Sequence, residues 1–464
     1  MIDIKPLQPA DMLPKIQKLW DASAPKILAI DKDCTADEAS PVHTVEGRYT
    51  AKGWTDWTRG FQHGSAILQF DATGDESFLN LGRDRTLETM AGHLTHVGVH
   101  DHGFNNVSTY GNLLRLLHEG RIPHDPWQQK FYELALQLSG AVQASRWTRI
   151  ADGTGYICSF NGPQSLFIDT VRSCRSLSMA HALGHTLFGE QDEQINLLGR
   201  MIEHATNTAK YNVYYGEGRD HYDLRGRSVH EAIFNVNNGV FRCPSTQQGY
   251  SPFSTWTRGL SWAMAGFPEE LEFLETREDA ELQPFGGRTR IVETFLKAAT
   301  AVCDFYIDNT PTDGIPYWDT GAPNLHKLGD YLDKPADPYN DREPVDSSAA
   351  AIGAQGLIRL GKYLGENSDE GKKYFQAGLT VLDTLLDEPY LNGDPQHHGL
   401  LLHSQYHRPG GWDHVPEGRN IPCGEATMWG DYHGRELALY VQRMAAGKPY
   451  YTFYAGTAAA GEEA

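Results

Sequence analysis

Two aspartates keep unusual company in this 464-residue chain. Asp101 lies in His100-Asp101-His102-Gly103-Phe104, and Asp169 in Phe167-Ile168-Asp169-Thr170-Val171-Arg172. A pair of carboxylates is the least equipment for acid–base work on a glycosidic or enol-ether oxygen. A lone aspartate more often caps a helix or sits in solvent. Asp101 fits that ordinary role, since a helical run opens at Asn105. Asp169 fits it less well. Leu166, Phe167 and Ile168 precede it, so its carboxyl is expected to be desolvated and to hold its proton more tightly. Two further segments set polar groups beside rings and glycine, as a sugar cleft requires. One is Trp54-Thr55-Asp56-Trp57-Thr58-Arg59-Gly60-Phe61. The other is Gln248-Gly249-Tyr250 followed by Thr255-Trp256-Thr257-Arg258-Gly259-Leu260-Ser261-Trp262.

Other chemistries find less support. His93, His96 and His100 share a helical spacing with His102 just beyond, which suits a metal. Gly98 interrupts them, and no Cys or Glu completes a zinc pattern, so we expect surface and cleft histidines, no metal and no cofactor. No phosphate-cradling glycine loop precedes a lysine, and no nucleophile elbow or nucleotide fingerprint is present. Forty basic side chains against sixty acidic ones give a net charge of −20, which argues against nucleic acid and anionic membrane partners. No run of eighteen apolar residues occurs, and the N-terminal residues show no apolar stretch behind a basic end. Six scattered cysteines without a CxxC pair fit thiols in a reducing compartment, so a cytoplasmic protein is expected.

The elements that must carry these residues read as helices. Apolar side chains recur at three- to four-residue steps in Phe131-Leu134-Leu138-Val142, Ile291-Phe295-Ala298-Val302 and Tyr374-Ala377-Val381-Leu385. Strand-like alternation is rare. Glycine followed by an acidic stretch recurs at Gly74-Asp75-Glu76, Gly189-Glu190 and Gly365-Glu366, the punctuation of one helix ending and the next beginning. Antiparallel helix pairs around one centre predict an all-α toroid. No Gly/Ser linker divides the chain, so one domain is expected over 1–464, with residues 1–50 as an N-terminal extension packed on it. The irregular stretch from Asn309 to Pro344 is expected to belong to a site.

From Trp57 to Tyr440 the motifs resemble glycoside hydrolase family 88, the unsaturated glucuronyl hydrolases. Trp57-Thr58-Arg59-Gly60-Phe61 resembles the family's W-T-x-G-F, and His100 to Phe104 its H-D-x-G-F. Ile168-Asp169 resembles its I-D, and Gln248 with Trp256, Arg258 and Trp262 its Q-G-Y and W-x-R-G-x-x-W. His230 lies where a family histidine is expected. Asp346-Ser347-Ser348-Ala349, Leu401 to His407 and Trp429-Gly430-Asp431-Tyr432 resemble D-S-S-A, L-L-H-x-x-Y-H and W-G-D-Y. Eight motifs in order leave chance no role.

The resemblance implies an (α/α)6 barrel and an oligosaccharide substrate ending in a 4,5-unsaturated uronic acid, left by a polysaccharide lyase. Hydration of the C4=C5 vinyl ether would release that sugar. It implies Asp169 as general acid/base and Asp101 as its essential partner. It places His100, His230, Gln248 and Arg258 around the uronate, Trp57, Trp256 and Trp262 as walls, and His403 and His407 among the substrate-binding residues. A hydrolase of unsaturated galacturonides, an epimerase using His230 with His403 or His407, and a non-catalytic acidic-oligosaccharide-binding barrel are the alternatives. A homodimer is left open. Three departures stand out. Arg172 follows the catalytic aspartate where the family has a Met-rich stretch and an Asn; one turn on, it would tune the acid, hold a substrate anion or form a plain ion pair. Phe61-Gln62-His63-Gly64 lacks a family tryptophan, and Gly410 to Cys423 resembles an insertion at the cleft rim.

Overall fold

The computed structural model describes residues 1–34, 40–52, 57–448 and 452–454. Among them, twelve long helical stretches follow one another: α1 Leu13–Asp33, α2 Arg59–Thr73 and α3 Glu76–Thr89. Next, α4 runs through His102–Asn106, the π-helical turn Val107–Gly111 and Asn112–His118, and α5 is Pro126–Ser145. Helix α6 comprises Thr170–Ser173 and Arg175–Ala182, and α7 is Leu197–Tyr211. The last five are α8 Thr257–Glu275, α9 Arg288–Asp308, α10 Ser347–Tyr363, α11 Asp369–Leu385 and α12 Met428–Ala445.

The even-numbered helices are buried on nearly every face, so each must be surrounded. Each packs on the next, and α12 closes on α2, which makes a ring. The odd-numbered helices return outside it. This is an (α/α)6 barrel. Helix α1 packs against α12 and α2, so the N-terminal residues expected as an extension supply the outer helix of the sixth pair. Its Ser23 accepts a hydrogen bond from Arg435 of α12 at 2.7 Å. The hairpin of β1 Ser40–Val45 and β2 Arg48–Lys52 then bonds to the loop before α12 through Thr44 and Ala426.

The expected helix junctions hold at two of three places. Gly74 ends α2 at φ 77° and Asp75 caps α3, accepting from Ser77 N at 2.9 Å. Gly365, at φ 88°, precedes the cap Ser368 of α11. At the third, Gly189 has φ −86° and belongs to a small hairpin of Leu187–Phe188 with Gln194–Ile195. Two of the three apolar runs face the core. Phe131, Leu134 and Leu138 instead face solvent, because Tyr132, Leu136 and Gly140 form the buried side of α5.

Because the inner helices all run the same way, their N-terminal ends gather at one end of the ring. Trp57, Asp101, Asp169, Trp256, Asp346 and Thr427 stand at or just before those six starts. Two small sheets cover that end: β3 Trp147–Arg149 with β4 Gly155–Ile157, and β5 Ser165–Phe167, β6 Glu231–Phe234 and β7 Phe241–Ser245 in antiparallel order. Asn309 to Pro344 lines none of the cleft described below. It buttresses the Gln248–Trp256 segment from behind, with Asp319 accepting from Tyr250 N at 2.8 Å.

Helices α4 and α6 approach until Gly103 lies against the Ser173 backbone; a Cβ on Gly103 would stand 2.1 Å from Ser173 O. Gly103→Ala must therefore push the two helix starts apart. We expect a loss of at least about 1–3 kcal/mol in denaturant unfolding, the usual cost of overpacking. An unchanged transition would show that this contact does not set the spacing.

Candidate active site

Asp101 and Asp169 both occupy helix N-cap positions, yet neither carboxylate caps its helix. Asp346 shows the contrast: it accepts from Ser348 N and Ala349 N at 3.0 and 3.3 Å. The two free carboxylates turn instead toward one imidazole. His100 Nε2 lies 3.3 Å from Asp169 Oδ1 and 3.9 Å from Asp101 Oδ1. His100 Nδ1 accepts from Phe160 N at 3.3 Å, so the Nε2 proton faces the carboxylates. Ser173 fixes this turn: its hydroxyl donates to His100 O at 2.6 Å and accepts from Gly103 N at 3.0 Å. Gln143 of α5 donates to the same carbonyl at 2.9 Å.

The three groups divide their protons unequally. Burial pushes the Asp101 carboxyl up, and the Asp169 charge adds to it, against a smaller pull from His100. Burial alone would raise Asp169 as well. The hydrogen bond and charge of His100, joined by Arg258, outweigh it and hold Asp169 below its usual range. Burial would lower His100, but the two carboxylates reverse this and keep it protonated above its usual pH. His230 is pushed down to about 4 by burial, so of the two rings near Asp169 it is His100 that keeps a proton to higher pH. The expectation that Asp169 holds its proton more tightly is thus corrected: hydrophobic neighbours do desolvate it, but the interaction with His100 outweighs them.

Around the pair lies a cleft of about 460 Å³. Its walls include Trp57, Phe104, Phe167, Trp256, Trp262 and Tyr406. Trp57 stacks on Trp429 at 4.7 Å between ring centroids. Arg258 and Gln248 line the cleft together, Arg258 Nη2 donating to Gln248 Oε1 and to Tyr406 O, each at 2.6 Å. Its Nη1 donates to Asp346 at 3.2 Å and also to Gln405 O. His407 lines the cleft too, its ring 4.4 Å from that of Trp412. His230 stands directly behind the wall, between Phe167 and Trp256 at 4.2 and 4.6 Å. Its Nδ1 accepts from Gln247 N and Gln248 N at 3.0 and 3.3 Å, leaving an Nε2–H without a partner.

Two expected site residues lie elsewhere. Arg172 points down into the ring, away from the cleft. Its Nε lies 2.5 Å from Glu269 and its Nη2 3.2 Å from Glu436. Asp169 leaves the very start of α6, whereas position 172 projects inward one turn below, so Arg172 is neither a cleft cation nor a surface ion pair. His403 packs edge-on against Tyr339 and Tyr390 and accepts from Gly424 N at 3.1 Å, beneath the loop that carries His407. Trp54, Thr55 and Asp56 lie outside the described residues. His93 pairs with Asn105 at 3.1 Å and His102 with Ser139 at 3.0 Å, so these rings do not converge with His100. Cleft residues that sequence reasoning missed include Gln247, Phe160, Tyr406 and Trp412. The ring pair at 406 and 412 was the available signal, at the edge of the apparent insertion. Asp431 of the W-G-D-Y motif accepts from Leu400 N and Leu401 N at 2.9 and 2.8 Å, so it anchors that loop and does no chemistry.

Fold and site together define a barrel of the glycoside hydrolase kind. No family model matches the chain. It is 27% identical over 421 residues to an unsaturated glucuronyl hydrolase of Bacillus sp. strain GL1, spanning 88% of this chain and 92% of that one. It is 25% identical over 423 residues to an unsaturated chondroitin disaccharide hydrolase of Streptococcus pyogenes serotype M1, spanning 89% and 88%. The crystal structure of the Bacillus sp. GL1 unsaturated glucuronyl hydrolase, 22% identical, aligns with a TM-score of 0.70 over 92% of this chain and 97% of that chain. That of a heparin-specific unsaturated glucuronyl hydrolase, 21% identical, gives 0.70 over 94% and 98%. Over most of its length the chain is thus similar to unsaturated glucuronyl hydrolases, at a divergent level of identity.

Arg172→Met would leave Glu269 and Glu436 buried beside a missing cation. We expect a loss of about 3–5 kcal/mol in denaturant unfolding, the cost of breaking a buried pair. A variant of wild-type stability with a displaced pH–rate profile would return Arg172 to the cleft.

Proposed function

We propose that this protein removes a 4,5-unsaturated uronic acid from the non-reducing end of lyase-generated oligosaccharides by hydrating its C4=C5 vinyl ether. The observation that carries the reading is the carboxylate pair bridged by His100 in an aromatic-walled cleft. Such a pair holds and moves one proton, which is what hydration of a vinyl ether needs. Asp169 is the group that exchanges it. Before the uronate arrives, His100 holds the Asp169 carboxyl below its usual range. The incoming uronate brings a negative charge and displaces water, and both disfavour a carboxylate. The proton shared by His100, Asp101 and Asp169 then moves onto Asp169.

Asp169 delivers that proton to C4, and the positive charge falls on C5 and the ring oxygen. Water adds at C5 while the Asp169 carboxylate takes one of its protons, restoring the acid. The product is a hemiketal. Its C5–O bond to the ring breaks to give a ketone at C5, and the freed hydroxyl at C1 makes a hemiacetal that expels the next sugar as an alcohol. One water is consumed. Arg258, whose Nη protons already meet Asp346, Gln405, Gln248 and Tyr406, offers the uronate carboxylate its positive charge, and His230 behind the wall offers an unpartnered Nε2–H. Trp57, Trp256 and Trp262 hold the ring between them.

Further assignments belong to the same reading. The free thiols Cys158, Cys174, Cys243, Cys303 and Cys423 suit a reducing cytoplasm. Among the described residues no helix is long and apolar enough to cross a membrane. The partner is the unsaturated oligosaccharide, and a second copy of the chain is taken up below.

The conjugated enol ether absorbs ultraviolet light and hydration destroys it, so a panel of lyase-generated disaccharides read by absorbance loss tests activity and substrate together. Asp169→Asn is expected to lose roughly two to four orders of magnitude in kcat. Residual turnover within a few-fold of wild type would remove Asp169 from this role. Arg258→Ala should raise KM more for the free acid than for its methyl ester, because only the acid carries the charge that Arg258 meets. Equal losses on both would make Arg258 a loop anchor alone.

A further inference from the structure

The outward face of α5 departs from the rest of the barrel surface. Outer helix α3 presents Glu76, Asn80, Asp84 and Glu88 to solvent, and α9 presents Arg290, Glu293 and Lys297. Helix α5 presents Trp127 at 85% exposure, Phe131 at 45%, Leu134 at 62% and Leu138 at 38%. Their spacing of four, three and four residues is one continuous helical stripe. The hairpin strand carrying Phe188, itself exposed, touches α5 and extends the patch. With a large apolar side chain offering about 150–250 Å², the stripe exposes on the order of 400 Å², as much as the largest patch on most monomers.

We propose that this face is a homodimer interface, with α5 packed antiparallel against α5 of a second copy. Three observations favour a copy of the same chain. The charges bordering the stripe, Lys130 and Glu133, form a pair of opposite sign 2.7 Å apart, so the face is neutral on a chain of net charge −20. A nucleic acid or an anionic membrane would meet the repulsion of the surrounding surface without a cation to offset it. A two-fold axis beside Phe131 and Leu134 makes the stripe self-complementary. Trp127 then meets the partner's Leu138, Phe131 meets the partner's Leu134, and on the flank Lys130 comes beside the partner's Glu133. Finally, two such stripes together bury about 800 Å², and Phe188 of each copy brings the total to about 1,000 Å², the lower bound for a specific interface.

The proposal rests on no cleft residue, so it stands or falls apart from the activity. The test is light scattering after size exclusion, together with sedimentation equilibrium, on the full-length chain. Wild type is expected at twice the chain mass. Leu134→Glu buries two like charges at the axis and should weaken association by on the order of a hundredfold or more, with the far-UV spectrum and kcat/KM retained. Lys130→Glu should weaken it as well, and Lys130→Glu with Glu133→Lys should restore it. A wild-type monomer at every concentration, or a dimer indifferent to Leu134→Glu, overturns the proposal. A charge swap that fails to restore pairing overturns the antiparallel register. Flotation with anionic vesicles that depends on Leu134 would give the face to a membrane instead.

Discussion

Arg175 joins the buried charges of the barrel axis to the turn that carries the chemistry. Its Nε donates to Gly103 O at 2.9 Å, and its Nη1 lies 3.8 Å from both Glu269 and Glu436. Those two glutamates also hold Arg172, and Glu269 lies 3.7 Å from Arg359. Burying such charges is costly, and only mutual pairing makes it tolerable. The pairing also fixes geometry. Helices α6, α8, α10 and α12 must stand where their charges meet, and Gly103 must stand where Arg175 reaches it. The Ser173 hydroxyl then holds His100 and Gly103 to α6, so Asp101 and Asp169 share one rigid frame.

That frame explains how an acidic protein can receive an acidic sugar. Surface charges farther away than about 8–10 Å are largely screened in salt, whereas groups inside a partly closed cleft are not. Six helix N-termini gather at the cleft, each contributing partial positive charge. The two carboxylates hold a proton on His100 to higher pH there, and Arg258 lines the wall. The net charge of −20 describes the outside of the barrel, while the local field is set by a few fixed dipoles and the Arg258 guanidinium.

Much of this was legible in the sequence, and what was missed has physical reasons. Asp101, Asp169, His100, Gln248, Trp256, Arg258, Trp262, Trp57 and His407 meet in one cleft because each sits at an inner-helix start or in a loop beside one. The helix periodicity gave the paired helices, but periodicity does not say which stripe faces inward. In α5, Tyr132, Leu136 and small residues took the buried side, and the more regular apolar stripe went to solvent. Arg172 was misjudged for a related reason. Three residues along a helix is one turn, but at a helix start the first residue points over the end and the fourth points into the bundle. Its acceptors, Glu269 and Glu436, are far away in sequence, so nothing local announced them. His403 shares a motif with His407, yet four residues of loop place it under the cleft floor.

The direction of the Asp169 shift was also beyond the sequence, and it changes how the site works. A run of apolar neighbours predicts a carboxyl that keeps its proton. In the structure, His100 at 3.3 Å reverses this and favours a proton on Asp101 over one on Asp169. An acid that is permanently protonated would be ready at all times. On the proposed reading the acid becomes one only when an anion enters, because the substrate would supply the charge that drives the proton onto Asp169. The uronate carboxylate then serves twice, as the group that is recognised and as the group that arms the catalyst. A neutral sugar of the same shape would satisfy the tryptophan walls and leave Asp169 ionised, so selectivity for uronates is built into the protonation of the pair as well as into the shape of the cleft.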